Sequence, residues 1–461
     1  MRRRELLLGG AAAGAMLALT PKGALAHGML RTADGAGTSR ASRLHPDDGL
    51  RLAHTDLHNH TLLSDGAADV EGAFAQLRAA GLDVAALTDH AVLGSLAGDS
   101  VCGSCSAITG FDDPGWARTK QLADAATVPD QFVALRGFEW TTPHLGHINV
   151  WFSEQWIDPV STGSLVDPDA LLAFLRDDVD QGFAGLASAL APVVPPTSTI
   201  DGFYAWLQQP VTGTGLGGGG ADALAGFNHP NGHGNFNDFQ FFGEVRDRMV
   251  SVELFNGPGD YLFRGLADGE ESPVNAILNA GWRVGSLGVT DEHSGTFDVA
   301  EGKGRAGLWL RSLTRDGVRE ALEARRFFAT RLTGLRLDAT AAGVRMGGDV
   351  AHRKGTVPIR IDVDKGPQWH GKHLLAQLLV AGPAGGLPVI AHVERVTVPG
   401  PDQPVVAFDV PLDAETSPWA LLRLSDPEAP AEPYAVDPFR SLGRAVAYAS
   451  PWFLRPDLAG A

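Results

Sequence analysis

The chain has 461 residues, 44% hydrophobic and 20% charged, the balance of a globular protein with enough apolar sequence for two or three packed domains. Its 57 glycines and 29 prolines follow no fixed period, which excludes collagen-like and solenoid architectures. With 37 basic against 54 acidic residues the net charge is −17, so a nucleic-acid polymer is excluded as a general partner, while a small anionic substrate stays compatible wherever metal ions reverse the field locally.

Residues 1–26 read as a cleavable leader. Arg2-Arg3-Arg4 precedes Leu6-Leu7, a Gly/Ala-rich apolar stretch runs to Leu19, and Ala24-Leu25-Ala26 supplies a small-residue end. The adjacent arginines and weakly apolar core resemble the twin-arginine export class, so a periplasmic or extracellular destination is expected, with no stable membrane insertion after cleavage. Neither Leu6–Leu19 nor Phe183–Val194 is long enough to span a bilayer. Residues 27–49 read as a linker. The two cysteines, Cys102 and Cys105, sit in Cys-Gly-Ser-Cys; in an oxidising compartment a short disulfide is the plain reading, with free thiols or a two-sulfur metal site as alternatives.

From residue 50 to 333, short apolar runs alternate with helical patterns. The runs end at Leu87, Leu135, Val252 and Val289. Between them Val70, Phe74 and Leu77 share one helix face, with Asp69 as N-cap and Gly81 as stop; Asp167-Pro168 opens another helix, with Leu171, Phe174 and Leu175 buried. This alternation predicts an α/β fold of parallel strands, in a barrel or an open sheet. Val211–Gly220 reads as a long flexible loop. From 334 to 461 the period changes to two, as in Gly334–Ala339 and Val357–Val363, predicting a smaller all-β, sandwich-like domain.

Histidines and acids fall where those runs end. His58 and His60 are spaced to share one side of an extended strand, and Asp65 follows. His90 closes Thr88-Asp89-His90, Glu139 closes the third run and His147 opens the next. His229 precedes Pro230, and Asp291 and His293 follow the last run. In parallel α/β folds strand C-termini share one mouth, so these residues can converge although distant in sequence. Imidazole mixed with carboxylate suits Zn²⁺, Mn²⁺ or Fe²⁺ better than Ca²⁺.

In their order, the His-x-His, Ser-Asp-Gly, Thr-Asp-His, Glu, Gly-His, His-Pro and Asp-x-His blocks from His54 to Thr330 resemble the polymerase and histidinol phosphatase (PHP) family of metallophosphoesterases. The resemblance implies a distorted (βα)7 barrel. It also implies a site for two or three divalent ions built from His58, His60, Asp65, His90, Glu139, His147, His229, Asp291 and His293, with Glu139 bridging. Asp65 stands where many members have His, which looks like the branch acting on small nucleotides. Glu320–Thr330 and the closing Ala449-Ser450-Pro451-Trp452 are similar to exported PHP proteins, a group that includes carbamate-ester hydrolases of the carbaryl hydrolase type.

The expected activity is hydrolysis of a small, anionic phosphate mono- or diester by a metal-bridging hydroxide, with Asp65, Glu139 and Asp291 in the catalytic set. His233 is the candidate proton donor, although a solvated loop histidine is the plainer reading. Asp89 is expected to orient a ligand, His144 competes with His147, and Glu253 ends a strand without an assigned role. A carboxylic or carbamate ester is the alternative substrate, and a non-catalytic metal-binding export protein a further one. The strand-end lysine of amidohydrolases is missing. Trp369-His370-Gly371-Lys372-His373 reads as a solvated loop rather than a ligand pair. Composition and motifs do not indicate an oligomeric state.

Overall fold

The computed structural model describes residues 40–91, 113–142, 145–159, 161–162, 164, 199–213, 215–232, 234–297 and 301–459. The expected leader, both cysteines, His144, His233 and the helix expected after Asp167 lie outside the described residues. No helix among the described residues is long and apolar enough to cross a membrane.

Seven strands form the frame of the first part: β1 (Arg51–Asp56), β2 (Val84–Leu87), β3 (Val133–Thr142), β4 (Gly146–Trp151), β5 (Leu224–Asn228), β6 (Met249–Asn256) and β7 (Gly285–Val289). Hydrogen-bonded pairing runs through them in that order. Past the strand ends β7 meets β1 again: Asn59 and Glu292 form a parallel bridge, flanked by His60 N–H to Glu292 O at 3.0 Å and Asp291 N–H to His58 O at 3.1 Å. The ring therefore closes at the end that carries the histidines.

The expectation of uniformly parallel strands fails at β4, which runs antiparallel to both β3 and β5. Three residues, 143–145, separate β3 from β4, and a parallel crossover needs a dozen or more. The long loop expected at Val211–Gly220 is tied down instead: Gly215–Leu216 pairs with Gln155–Trp156, and Gly220 N–H donates to Trp206 O. A Cβ on Gly218 would lie 1.5 Å from the Gln155 side chain and one on Gly220 2.5 Å from the Trp206 ring, so the glycines permit close packing rather than freedom.

Helix α1 (Val70–Ala79) buries Val70, Ala73, Phe74 and Leu77, as its spacing predicts, although Asp69 makes no side-chain cap bond. It packs with α2 (Asp113–Ala126), while α3 (Asp201–Gln208) and α4 (Pro273–Ala280) cover the β4–β6 side. Strand alternation sends Phe138 and Trp140 outward into an aromatic core with Phe203 and Trp206, leaving Glu139 between them to face inward.

β8 (Arg305–Leu310) pairs with β1 and with β9 (Phe327–Thr330), and helix α5 (Arg315–Glu323) joins them with Thr314 capping its N-terminus. Beyond β9 the described elements are strands and short 3₁₀ turns. β10 (Arg336–Ala341), β11 (Lys354–Asp364) and, further along, β14 (Val406–Asp413) make one antiparallel sheet. β12 (His373–Val380), β13 (Val389–Thr397), β15 (Trp419–Asp426), β16 (Arg444–Ala449) and β17 (Trp452–Arg455) pair among themselves. Leu337, Ile359 and Ile361 of the first sheet share an apolar core with Leu374, Leu378 and Leu422 of the second. β9 also pairs with β16, so hydrogen bonding continues across residue 333, and the described residues all fall in one compact unit. The whole is mixed α/β, with a large mixed sheet.

Residues 40–49, expected within a linker, are docked. Arg40 pairs with Asp83 at 2.6 Å, Ser42 Oγ donates to Asp338 at 2.5 Å, and Arg43 N–H donates to Asp362 at 2.9 Å.

Candidate metal centre

The nine side chains singled out in the sequence come together at the closed end of the ring. His58 and His60 leave β1 on the same inward side, and both are fully buried. Glu139 stands at the centre. Its Oε1 lies 3.3 Å from His58 Nε2, 3.2 Å from His147 Nδ1 and 3.3 Å from His229 Nε2, and its Oε2 lies 3.6 Å from His60 Nε2 and 2.7 Å from His90 Nδ1. Asp291 Oδ1 is 3.1 Å from both His58 Nε2 and His60 Nε2. Asp65 Oδ1 lies 3.5 Å from His90 Nε2 and 3.2 Å from His293 Nε2. His229 (φ 23) and Asp291 (φ 54) occupy the left-handed region, a backbone strain that non-glycine residues keep only where surrounding contacts enforce it.

Three groups have donor atoms mutually within 4.8 Å: His60, Asp65, His90 and His293; His58, His60 and Glu139; and His90, Glu139 and His147. Glu139 belongs to two of these groups.

The electrostatics ask for positive charge. Burial pushes Glu139 up, yet the imidazoles of His58, His147 and His90 outweigh it and hold its carboxyl well below the usual range. Burial likewise opposes ionisation of Asp291 and Asp65. His58 and His60 win at Asp291, and His90 and His293 win at Asp65. Burial lowers His90, but Glu139 and Asp65 reverse this and raise it to about 10. His58, His229 and His293 are also raised against burial by neighbouring carboxylates. His60 goes the other way: burial, then His293 and His90, press it down to about 3. Meanwhile Asp65 Oδ1, Glu139 Oε2 and Asp291 Oδ1 are buried without a well-formed hydrogen bond. Such lone pairs are costly in a protein interior, and a borderline divalent cation ligated by N and O satisfies them. The residues present fit a metal centre.

A surrounding set of polar groups orients these donors. Glu253, which had no role in the sequence reading, holds His58 Nδ1 at 2.8 Å through Oε1 and accepts the His229 backbone N–H at 2.7 Å through Oε2. This leaves His58 Nε2 facing Glu139 and Asp291. Asn228 Nδ2 donates to Glu139 Oε1 at 2.7 Å, and Asn256 Nδ2 donates to Glu253 at 2.9 Å and Asp291 at 3.1 Å. Asp89 does not touch an imidazole through its carboxylate. It accepts from Thr61 N–H (2.7 Å) and Ser64 Oγ (2.7 Å), fixing the loop between His60 and Asp65. It reaches a donor indirectly, since Ser64 Oγ also lies 3.4 Å from His60 Nδ1. Glu253 and Asn256 were detectable only as polar residues near the end of an otherwise apolar strand.

His370 and His373 do not pair with each other: His370 bonds Asp364 at 3.2 Å, and exposed His373 bonds Thr397 at 3.1 Å.

No protein-family model and no curated protein matches this chain. Solved structures do. A two-domain protein from Bacteroides vulgatus containing a predicted PHP-like metal-dependent phosphoesterase is 14% identical, with a TM-score of 0.36, covering 90% of this chain and all of its own. A candidate metal-dependent phosphoesterase from Bifidobacterium adolescentis is 14% identical over 58% of this chain and 95% of its own, with a TM-score of 0.27. An amidohydrolase from Chromobacterium violaceum is 17% identical over 60% of this chain and 98% of its own, also at 0.27. The chain is thus similar to PHP-like phosphoesterases and to an amidohydrolase, and its functional reading rests on the geometry of its own site.

Proposed function

We propose that the protein is a metal-dependent hydrolase of a small phosphate mono- or diester, exported by its N-terminal leader. The convergence of His58, His60, Asp65, His90, Glu139, His147, His229, Asp291 and His293 at one end of the ring carries this reading. Two or three divalent ions of the Zn, Mn or Fe type, when bound, supply Lewis acidity and generate a water-derived nucleophile near neutral pH.

The chain's own residues do the rest. Glu139 belongs to two donor groups and links them, each group having one imidazole near Oε1 and one near Oε2. Asp291 and Asp65 stand on either side of His60 and His293 and are partly exposed, so they face the side from which a substrate arrives. Glu253 holds the proton of His58 at Nδ1 and keeps Nε2 free for ligation. With Glu253 counted, four carboxylates balance two dications and leave three net positive, so a third ion is what would favour an anionic ester over a neutral one. The C-terminal strands, read as a domain of their own from residue 334, add no donor to the centre in this reading.

The test compares turnover of aryl phosphate mono- and diesters with that of an aryl acetate and an N-methylcarbamate, in Mn²⁺ or Zn²⁺, with Asp291→Ala as the blank. Phosphate turnover lost in Asp291→Ala is the expected result. Carbonyl-ester turnover without phosphate turnover makes the protein a carboxylic or carbamate ester hydrolase. Metal uptake without turnover of any ester leaves a metal-binding export protein.

A further inference from the structure

The C-terminal strands approach the metal centre through one turn. β6 carries Glu253 and Asn256 and runs directly into Gly257–Asp260. Gly257 N–H donates to Val289 O at 3.0 Å, tying this turn to the end of β7, two residues before Asp291. The turn pairs back on Asn256 and Phe255 of β6, and its other side is also held by later sequence. Tyr448, fully buried in β16, donates its hydroxyl to both oxygens of Asp260 at 3.1 and 3.0 Å. Asp260 N–H donates to the Tyr434 hydroxyl at 2.8 Å. Arg331, also buried, donates to Pro258 O at 2.7 Å, stacks its guanidinium 4.3 Å from the Phe255 ring and pairs with Glu432.

We infer that Tyr448, with Arg331 beside it, is a positioning residue for the metal centre, and that the C-terminal region is part of the site's scaffold. The inference rests on the reading of the nine donors as a metal centre. Its path is physical and short. Tyr448 and Arg331 fix Asp260 and Pro258; the turn sets the end of β6; and Asn256 and Glu253 then set Asp291, His58 and the His229 backbone. Ligand geometry depends on such outer partners because a donor displaced by a fraction of an ångström no longer shares its ion. The buried charges also explain themselves: Arg331 and Asp260 are costly to bury, and both act on the same turn.

The experiment measures zinc affinity of the full protein by competition with a chromophoric chelator, independently of turnover. Tyr448→Phe removes one hydroxyl and keeps the ring against Phe255; its zinc affinity is expected to fall about 5- to 10-fold. Arg331→Met is expected to lose at least as much. In an Asn256→Ala background Tyr448→Phe is expected to add little, because its effect passes through that residue. Asp362→Asn, which disturbs a buried ion pair away from the turn, provides the control for general destabilisation and is expected to bind zinc as the parent does. A parent that binds zinc and a Tyr448→Phe protein that binds it equally well overturn the inference alone. An equal loss in Asp362→Asn also overturns it. A parent that binds no zinc overturns the metal-centre reading itself. Should Arg331→Met not fold, Tyr448→Phe decides.

Discussion

Two regions of this molecule bury carboxylates, and they neutralise them differently. In the C-terminal sheet Asp338 accepts from Ser42 Oγ, from Arg345 Nε and Nη2 at 3.0 and 2.7 Å, and from the Ala339 N–H. Asp362 accepts from Arg336 at 2.9 Å and from the Arg43 N–H. Arginine is always charged and its fork fills carboxylate lone pairs, so both groups are satisfied as they stand. At the closed end of the ring, Glu139, Asp65 and Asp291 meet imidazoles instead, and each keeps an oxygen without a well-formed hydrogen bond. Imidazole can release its proton and become a ligand, whereas guanidinium cannot. A buried acid met by arginine serves the fold; one met by exchangeable histidines serves a cation.

The contrast breaks most sharply at Asp338. Asp338→Ala leaves Arg345 with Asp48 alone and Ser42 Oγ without its acceptor, and is expected to cost about 2–3 kcal/mol of stability while leaving zinc affinity unchanged. Urea unfolding and chelator competition on one sample check both halves. Glu253→Gln inverts the pattern: the fold keeps its shape and a hydrogen-bonding side chain, but His58 Nδ1 loses its carboxylate while Nε2 keeps Glu139 and Asp291. Metal affinity is expected to fall about 10- to 100-fold with little change in the melting temperature of the metal-free protein. An unchanged affinity would mean that Glu253 does not act through His58.

The smallest effect is in pH. His90 is raised from 6.5 to about 10 in the fold. A group whose folded value is raised contributes its stability in full below its unfolded pKa and loses it as pH climbs to the folded one. The metal-free protein is therefore expected to lose part of its stability between about pH 6.5 and 10, while zinc affinity rises over the same interval because binding must displace imidazolium protons. Thermal melts across that range fall with pH without zinc and are nearly flat with saturating zinc if this holds, because the gain in affinity offsets the loss. Parallel slopes would mean that the imidazoles are not the charge partners of Glu139 and Asp65.

Much of the site was legible because chemistry and strand period coincide locally. His58 and His60 two residues apart, Glu139 between Phe138 and Trp140, and Asp291 and His293 after Val289 each declare an inward side from a few neighbouring residues. Glu253 resisted the same logic because its partner, His58, is 195 residues away. Asp89 acts on His60 through Ser64 rather than on its sequence neighbour His90, a connection that the sequence does not display. The antiparallel course of β4 could have been expected from its three-residue connection, but the uniform rhythm of apolar runs outweighed that signal.

What the amino-acid sequence determined by itself is the donor set and its place at strand ends, because side-chain alternation and hydrophobic period are short-range properties of the chain. What only tertiary structure decided is which of these side chains lie together, which carboxylates orient them and how the late strands reach the turn after Asn256. Such contacts join residues 188, 195 and 234 positions apart, and they depend on how the ring closes rather than on any local pattern.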